Sequence, residues 1–343
     1  MTSKLRFGII GCGVIGHIHA EAMSTLPDAQ LVAVADIIPE RAQKLAEEFH
    51  VTPYSDAQEM LAREQLDVVD VCTPSGQHGE QVCQVMRAGV NVIVEKPMEI
   101  THLAIEEMLR VQQETGVKMA VISQHRFDPD TGQVYNLIKE QAFGRLVLGN
   151  ALVPWWRSQP YYDSGAWRGT WELDGGGVLM NQSIHSIDVL QWLMGPVKSV
   201  YAYTDTLVHR METEDVAVAV LRFANGALGT IAATTDAYPG TGTRIEVHGD
   251  KGSVVIEDDR LSYLHLAQDD REQRAPTAPA GPSAAQNPAT LAIRSHALQM
   301  EDMIRAIREN GTPLVDGYAA KHPVEIILGI YESARTHREV TLS

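Results

Sequence analysis

The chain is poor in cysteine: Cys12, Cys72 and Cys83 are the only three among 343 residues, and none forms a CxxC pair. An odd count with no paired spacing excludes a disulfide framework and fits a reducing cytoplasm, the expected location. Basic charge is also scarce. There are 28 Lys and Arg against 44 Asp and Glu, a formal net charge of −16, with no basic patch or run of like charge. That argues against nucleic acid as a partner, and the acidic excess reads as solubility. No window holds eighteen uninterrupted apolar residues, and the opening MTSKLRFGII meets glycine too early for a leader or a span, so no membrane partner is expected. Internal repeats, a GxSxG nucleophile motif and a phosphate-binding P-loop are missing as well. His17 and His19 form an HxH whose spacing suits neither one helix face nor a zinc set, and no acid or Cys partner is evident beside them, so no metal is expected. They read as ordinary residues of a first helix, His19 by position near a cofactor.

What is present is a rhythm. LRFGII, LVAVAD, DVVDVCTP, VNVIVEKP and KMAVISQ read as five strands, separated by helical patterns such as PERAQKLAEEFH and AIEEMLRVQQETG. Strands alternating with helices predict an α/β, doubly wound parallel sheet over residues 1–125. After that the pattern changes. SVYAYTDTL, DVAVAVLRFANGALGTIAATT, TRIEVHGDKGSVVIED and RLSYLHLA read as consecutive strands joined by turns of the Asn-Gly kind. They predict a second, α+β domain over 126–343 with an open, mostly antiparallel sheet. The Pro- and Ala-rich stretch 271–290 reads as a surface loop, and two closing helices follow it.

The first strand runs into Gly11-Cys12-Gly13-Val14-Ile15-Gly16 and then a helix, and Asp36 ends the second strand. A bare GxGxxG is weak, but with strand, helix and distant acid in place it is the dinucleotide-binding fingerprint. Gly11 allows the tight turn, Gly13 lets backbone approach a pyrophosphate at the helix N-terminus, and Gly16 allows close packing. Asp36 suits ribose hydroxyls and repels a 2′-phosphate, which favours NAD over NADP; Arg41 softens that preference. Thr73-Pro74-Ser75 with His78, and Glu95-Lys96-Pro97, sit at the carboxyl ends of neighbouring strands, where open α/β sheets bind ligands. Gly175–Gly195 reads as one apolar helix with Asn181, His185 and Asp188 spaced along one face. Such a strip is either a satisfied polar seam or the floor of an active site. Arg126 faces a substrate or pairs structurally, and both readings stand.

Together GIIGCGVIG, the acid after the second strand, TPSGQH, EKP, and GGG followed by NQSIHSID resemble the glucose–fructose oxidoreductase/inositol dehydrogenase/MocA family over nearly the whole chain. The resemblance implies a Rossmann domain, a larger domain with an open sheet, and homodimers or homotetramers. It implies oxidation or reduction of a sugar or cyclitol ring carbon with NAD(P), and catalytic roles for Lys96 and His185. Asn181 stands where many members have Asp, and Ser183 where many have Gly. The stretch YYDSGAWRGTWELDGGG resembles a subset that includes sugar-nucleotide and sugar 3-dehydrogenases, in which Trp167-Arg168 approach the nicotinamide. On this basis the expected cofactor set is Gly11, Gly13, Val14, Ile15, Gly16, Asp36, Thr73, Pro74, Ser75, His78, Glu95, Lys96, Gln124, Trp167 and Arg168. The expected substrate set is Lys96, Arg126, Tyr162, Asn181, His185 and Tyr238. The aromatics Trp155, Trp156, Tyr161, Tyr162 and Tyr238 suit a sugar's C–H face, although each alone more often packs.

Oxidising a secondary alcohol requires hydride loss from carbon and proton loss from oxygen. The proton step wants a group with pKa near the working pH. An imidazole starts near 6.5, whereas a lysine amine starts near 10.4. The expectation is therefore His185 as base or acid, with Lys96 orienting the oxygen and Asp188 holding the imidazole or nearby backbone. The alternative is a glycosidase or eliminase working through transient oxidation of its sugar. A non-catalytic NAD sensor ranks last, because Lys96 and His185 are both present.

Overall fold

The structure, a computed structural model, describes residues 3–268, 273–274 and 293–342. From the N-terminus the chain lays down β1 (Leu5–Ile10), α1 (Val14–Ser24), β2 (Ala29–Ala35), α2 (Pro39–Phe49), β3 (Thr52–Tyr54), α3 (Ala57–Arg63), β4 (Val68–Val71), α4 (His78–Arg87), β5 (Asn91–Val94), α5 (His102–Thr115) and β6 (Met119–Val121). The six strands form one parallel sheet in the order β3-β2-β1-β4-β5-β6. β4 and β6 are buried throughout, as continuous apolar runs covered on both faces must be. Local chemistry sets the helix ends. The Asp56 carboxylate accepts the Gln58 and Glu59 N–H groups at the start of α3, Thr101 caps α5, and Gly116 ends α5 in the left-handed region. β3 is a strand that periodicity does not reveal. It is three residues long, contains Pro53 and lies at the sheet edge, where a missing N–H is tolerated.

The next elements are α6 (Pro129–Lys139), β7 (Leu146–Pro154), α7 (Gln159–Asp163), α8 (Ile184–Met194), β8 (Val197–Asp205), β9 (Val216–Phe223), β10 (Leu228–Thr234), β11 (Arg244–Gly249), β12 (Gly252–Glu257), β13 (Arg260–Leu266) and β14 (Gln273–Arg274). They are followed by α9 (Ile293–Arg308), α10 (Gly317–Thr336) and β15 (Val340–Thr341). The second sheet has nine strands in the order β14-β13-β12-β11-β7-β10-β9-β8-β15. Every pairing is antiparallel except β10 with β7. β7 is thus the middle strand, and α8 lies across it. A Cβ at Gly149 of β7 would sit 2.6 Å from Met194 of α8, so glycine lets the helix approach. The stretch 271–290, read as a surface loop, lies outside the described residues except for Gln273–Arg274.

The chain divides into two compact units: residues 1–124 with 292–321, and residues 125–291 with 322–343. The division is discontinuous, with residues 292–321 in the first unit. α9 returns to the first unit because its apolar face, Ala297, Met300, Met303 and Ile304, joins the core built by Ala20, Met23 and Leu26. Among the described residues no helix is long and apolar enough to cross a membrane.

Candidate active site

The glycine loop of the first unit has the shape its sequence calls for. Gly11 has φ +99°, and a Cβ there would lie 2.5 Å from the Cys72 carbonyl oxygen. A Cβ at Gly16 would meet the Gly11 carbonyl at 2.0 Å, so α1 can pack this close only on glycine. Gly13 has open space around its Cα, and no side chain caps the first turn of α1, where Val14 is exposed and Ile15 half-buried. An uncrowded backbone before an uncapped helix start fits a pyrophosphate. Asp36 braces the loop: one carboxylate oxygen accepts the Cys12 N–H at 2.8 Å and the other the Ile38 N–H at 2.8 Å. Burial, with the Asp36 charge, pushes the Cys12 thiol up to about 12, so it stays protonated.

At the neighbouring strand ends the expectations divide. Glu95, expected near the cofactor, is buried, as is Gln124 just after β6. Lys96 is the one residue from Val92 to Ile100 that is not buried. His78, expected to touch the cofactor, is instead a clasp between two loops. Its Nδ1 lies 2.7 Å from the Pro97 carbonyl and its Nε2 2.8 Å from the Thr73 carbonyl, and the ring is buried. It thereby fixes the Thr73-Pro74-Ser75 turn against the Lys96-Pro97 turn. The two histidines read as partnerless both have acids. His17 meets Glu48 at 2.9 Å on the surface, and His19 is wholly buried between Asp70 and Glu95. His19 thus turns both ring nitrogens to buried acids. Sequence could not show this pairing, because Asp70 on β4 and Glu95 just past β5 lie 51 and 76 residues away.

In the second unit the segment Gly175–Gly195 is not one α-helix. Residues Val178–Ser183 form a π-helical turn that feeds α8. Such wide turns recur at functional sites. Asn181 lies in the π turn and His185 in the first turn of α8. From Asp174 to Gln191 these two are the only residues that are not buried. The Asn181 amide donates to Asp174 at 2.7 Å, and Asp174 in turn accepts the Gly169 N–H at 2.8 Å.

The residue that holds the π turn, Glu214, carries no sequence signal. Its carboxylate accepts the Gly177 and Leu179 N–H groups and the Tyr331 hydroxyl, each at 2.9 Å. The glycine run is needed here: a Cβ at Gly177 would lie 1.8 Å from the Glu214 carbonyl oxygen. Burial pushes the Glu214 carboxyl up to about 7 despite its donors. An acid whose folded pKa is raised contributes stability that is full below its unfolded value, near 4.5, and is lost as pH rises through about 7. Denaturant unfolding of wild type and Glu214→Gln should therefore differ in slope with pH across that window. The wild type loses on the order of 3 kcal/mol that the glutamine variant does not lose. Parallel slopes would contradict the assignment.

Asp188 does not stand free to orient an imidazole. It receives Arg126 in a two-pronged pair, at 2.8 and 2.5 Å, and both side chains are buried. Arg126 also lies over Trp192, which stacks on Tyr135 with ring centroids 3.9 Å apart. Of the two readings of Arg126, the structure displays the structural pair. The neighbour of the His185 ring is His125, edge-on at 5.2 Å. His125 sits 2.8 Å from Asp128 and 3.3 Å from Asp259. Burial lowers its pKa, but Asp259 and Asp128 overcome this and raise it to about 9.

The aromatic expectations also sort. Tyr162 is buried, with its hydroxyl 2.9 Å from Thr235, so it packs and offers no face to a sugar. Tyr238 is 79% exposed and meets Trp156 edge-on. Arg168 is sandwiched over Tyr161 and Trp167 at 4.3 and 4.4 Å, at the edge of an open cleft of about 580 Å³ that Arg210 and Glu212 also line.

Known proteins match on both units. Residues 5–123 match a family model described as an oxidoreductase family, NAD-binding Rossmann fold, and residues 132–255 match the GFO/IDH/MocA C-terminal domain. The inositol 2-dehydrogenase of Rhizobium meliloti is 32% identical over 79% of this chain and 81% of its own. The D-glucoside 3-dehydrogenase of Escherichia coli is 34% identical over 59% of this chain and 58% of its own. The crystal structure of the WlbA dehydrogenase from Bordetella pertussis, in complex with NADH and UDP-GlcNAcA, superposes with a TM-score of 0.89. It is 34% identical and covers 100% of this chain and 99% of that one.

Proposed function

Because the chain belongs to the Gfo/Idh/MocA family of NAD-binding oxidoreductases, we propose that it moves a hydride between a secondary alcohol or ketone of a sugar, sugar derivative or cyclitol and NAD. One observation supports this above the rest. In two otherwise buried segments, the side chains that reach the surface are Lys96 in the first and Asn181 and His185 in the second. Buried segments that expose only an amine, an amide and an imidazole have the groups that alcohol oxidation uses. Bound NAD supplies the hydride acceptor. Gly11, Gly13 and the first turn of α1 hold its pyrophosphate, and Asp36 its ribose. His185 takes the hydroxyl proton, Lys96 orients the reacting oxygen, and Asn181 hydrogen-bonds a neighbouring ring hydroxyl. The test is NADH formation at 340 nm over a panel of inositols, glucosides and nucleotide-linked uronic sugars, each with NAD and with NADP. Reduction with at least one ring alcohol is expected; bond cleavage without lasting NADH would favour the transient-oxidation alternative.

The Asp36 carboxylate favours NAD, since a 2′-phosphate there would face like charge. Asp36→Ser should move the NADP-to-NAD ratio of kcat/KM toward NADP by on the order of tenfold, about 1.4 kcal/mol of relieved repulsion. An unchanged ratio would place the ribose elsewhere. The chain also acts as a homo-oligomer on this reading. The second sheet exposes Leu152, Tyr203, Val218, Val220 and Leu228, an apolar face of the kind that a second copy covers. Light scattering should give two or four chains, and Val218→Asp with Val220→Asp should give one.

A further inference from the structure

We propose that His19 is a positioning residue for the Lys96 amine, acting through a buried carboxylate–imidazole–carboxylate chain, Asp70–His19–Glu95, that fixes Glu95 immediately before Lys96. The inference rests on the reading that Lys96 serves the reaction, and it adds which groups set the charge around that amine.

The chain is continuous. His19, on α1, has Nδ1 2.6 Å from Asp70 on β4 and Nε2 2.9 Å from Glu95 at the end of β5. The other Glu95 oxygen accepts the backbone N–H of Lys96 at 3.0 Å. His19 and Asp70 have no solvent exposure and Glu95 almost none. The other titratable groups packed around the ring are Cys72, whose Sγ is 3.5 Å from Nδ1, and His296 of α9, with ring centroids 5.1 Å apart.

A neutral imidazole has one N–H and can donate to one carboxylate only. Two carboxylates on opposite ring nitrogens call for the doubly protonated ring. Burial works against that charge, but Asp70 and Cys72 outweigh it and hold the His19 pKa well above its ordinary value. Burial likewise pushes Glu95 up, yet the His19 bond and charge, with Lys96 and His296, keep it well below the usual carboxylate range. The donor atoms are too close for a shared ion. Two ligands about 2.0 Å from a tetrahedral metal stand about 3.3 Å apart, whereas these pairs are hydrogen-bonded. The result is a permanent anion beside Lys96. It favours the ammonium form of the amine, which can donate to a substrate oxygen, and leaves proton removal to His185.

Removing the His19 cation leaves Glu95 buried without its counter-charge, and Glu95 then takes up a proton. Lys96 loses its anion and its own proton more readily. The high-pH limb of the kcat profile should accordingly move to lower pH by about one unit or more in His19→Gln, and in the same direction in Glu95→Gln. NAD affinity should stay within about threefold, because both side chains are buried and bonded to each other. Lys96→Ala is run in parallel. If it keeps wild-type turnover, the catalytic reading fails. If it is inactive while His19→Gln and Glu95→Gln keep the wild-type profile, this inference fails and that reading survives. A readout that needs neither activity nor a folded variant is the nitrogen NMR of the wild-type chain with labelled histidine. His125, raised to about 9 by Asp259 and Asp128, is mostly charged at about pH 8.5, so two histidines, His125 and His19, should keep both ring nitrogens protonated there, two units above the ordinary histidine value. A single charged ring at that pH, or none, would overturn the proposal.

Discussion

Replacing His185 or Lys96 by alanine is expected to lower kcat by about 10²- to 10⁴-fold, the range by which a positioned proton-transfer group accelerates a reaction. NAD affinity should fall far less than kcat, since on the proposed reading Gly11, Gly13 and Asp36 hold the pyrophosphate and ribose. The loss should also be unequal with pH. The His185 variant loses the proton acceptor at every pH at which the wild type works. The Lys96 variant loses an oriented donor and should recover partly with added primary amines. Steady-state kinetics with any active ring alcohol, alongside cofactor binding by nucleotide fluorescence, separates these effects. A fall in cofactor affinity of the same size as the fall in kcat would mean that the substitutions damaged the fold and not the chemistry.

The second large effect is on stability. Arg126→Ala should destabilise the second unit by about 3–5 kcal/mol, because it leaves the Asp188 carboxylate buried without its partner. The same change removes the cation over Trp192. Replacing both partners with apolar residues of similar volume, Arg126→Met with Asp188→Leu, should recover most of the loss. Urea unfolding followed by tryptophan fluorescence checks both. If Arg126→Ala unfolds like the wild type while activity disappears, the guanidinium belongs to substrate binding and the structural account of the pair is wrong. Because α8 carries His185 as well as Asp188, the alanine variant should lose activity together with stability, and the apolar pair should regain both.

These expectations show which parts of the molecule sequence can reveal. The Rossmann half was legible because its signals are local: an apolar strand, a glycine turn, a helix and an acid, repeated with short connections. β3 was hidden because three residues with a central proline carry no alternation. β7, the middle strand of the second sheet, was missed because Gly149 and Asn150 interrupt its apolar run. The reason Gly149 is there, the approach of Met194, is a contact made across the fold. The return of α9 to the first unit is equally non-local; its apolar face is visible in sequence but not the core it joins.

For the proposed site, sequence offers the residue types but not their partners. Lys96 follows a strand and His185 lies in a helical pattern, so both could be named. The spacing of Asn181 and His185 suggests one α-helical face, whereas Asn181 lies in a π turn and His185 in the α-helix that follows it. Its restraint, Glu214, comes from the edge of a distant strand. Asp188 looked like a support for the imidazole, but the buried guanidinium of Arg126 claims it, since a charge with so little exposure needs an opposite one. Tyr162 and His78 have partners that sequence does not display: Thr235 for the hydroxyl, and the Thr73 and Pro97 carbonyls for the ring.

The most direct test is a double-mutant cycle on kcat for Lys96→Ala, His185→Ala and the two combined, with NAD and one active ring alcohol. If both groups serve one proton-coupled hydride transfer, the combined variant should lose far less than the product of the single losses. Losses that simply multiply, or single variants that turn over like the wild type, would contradict the account.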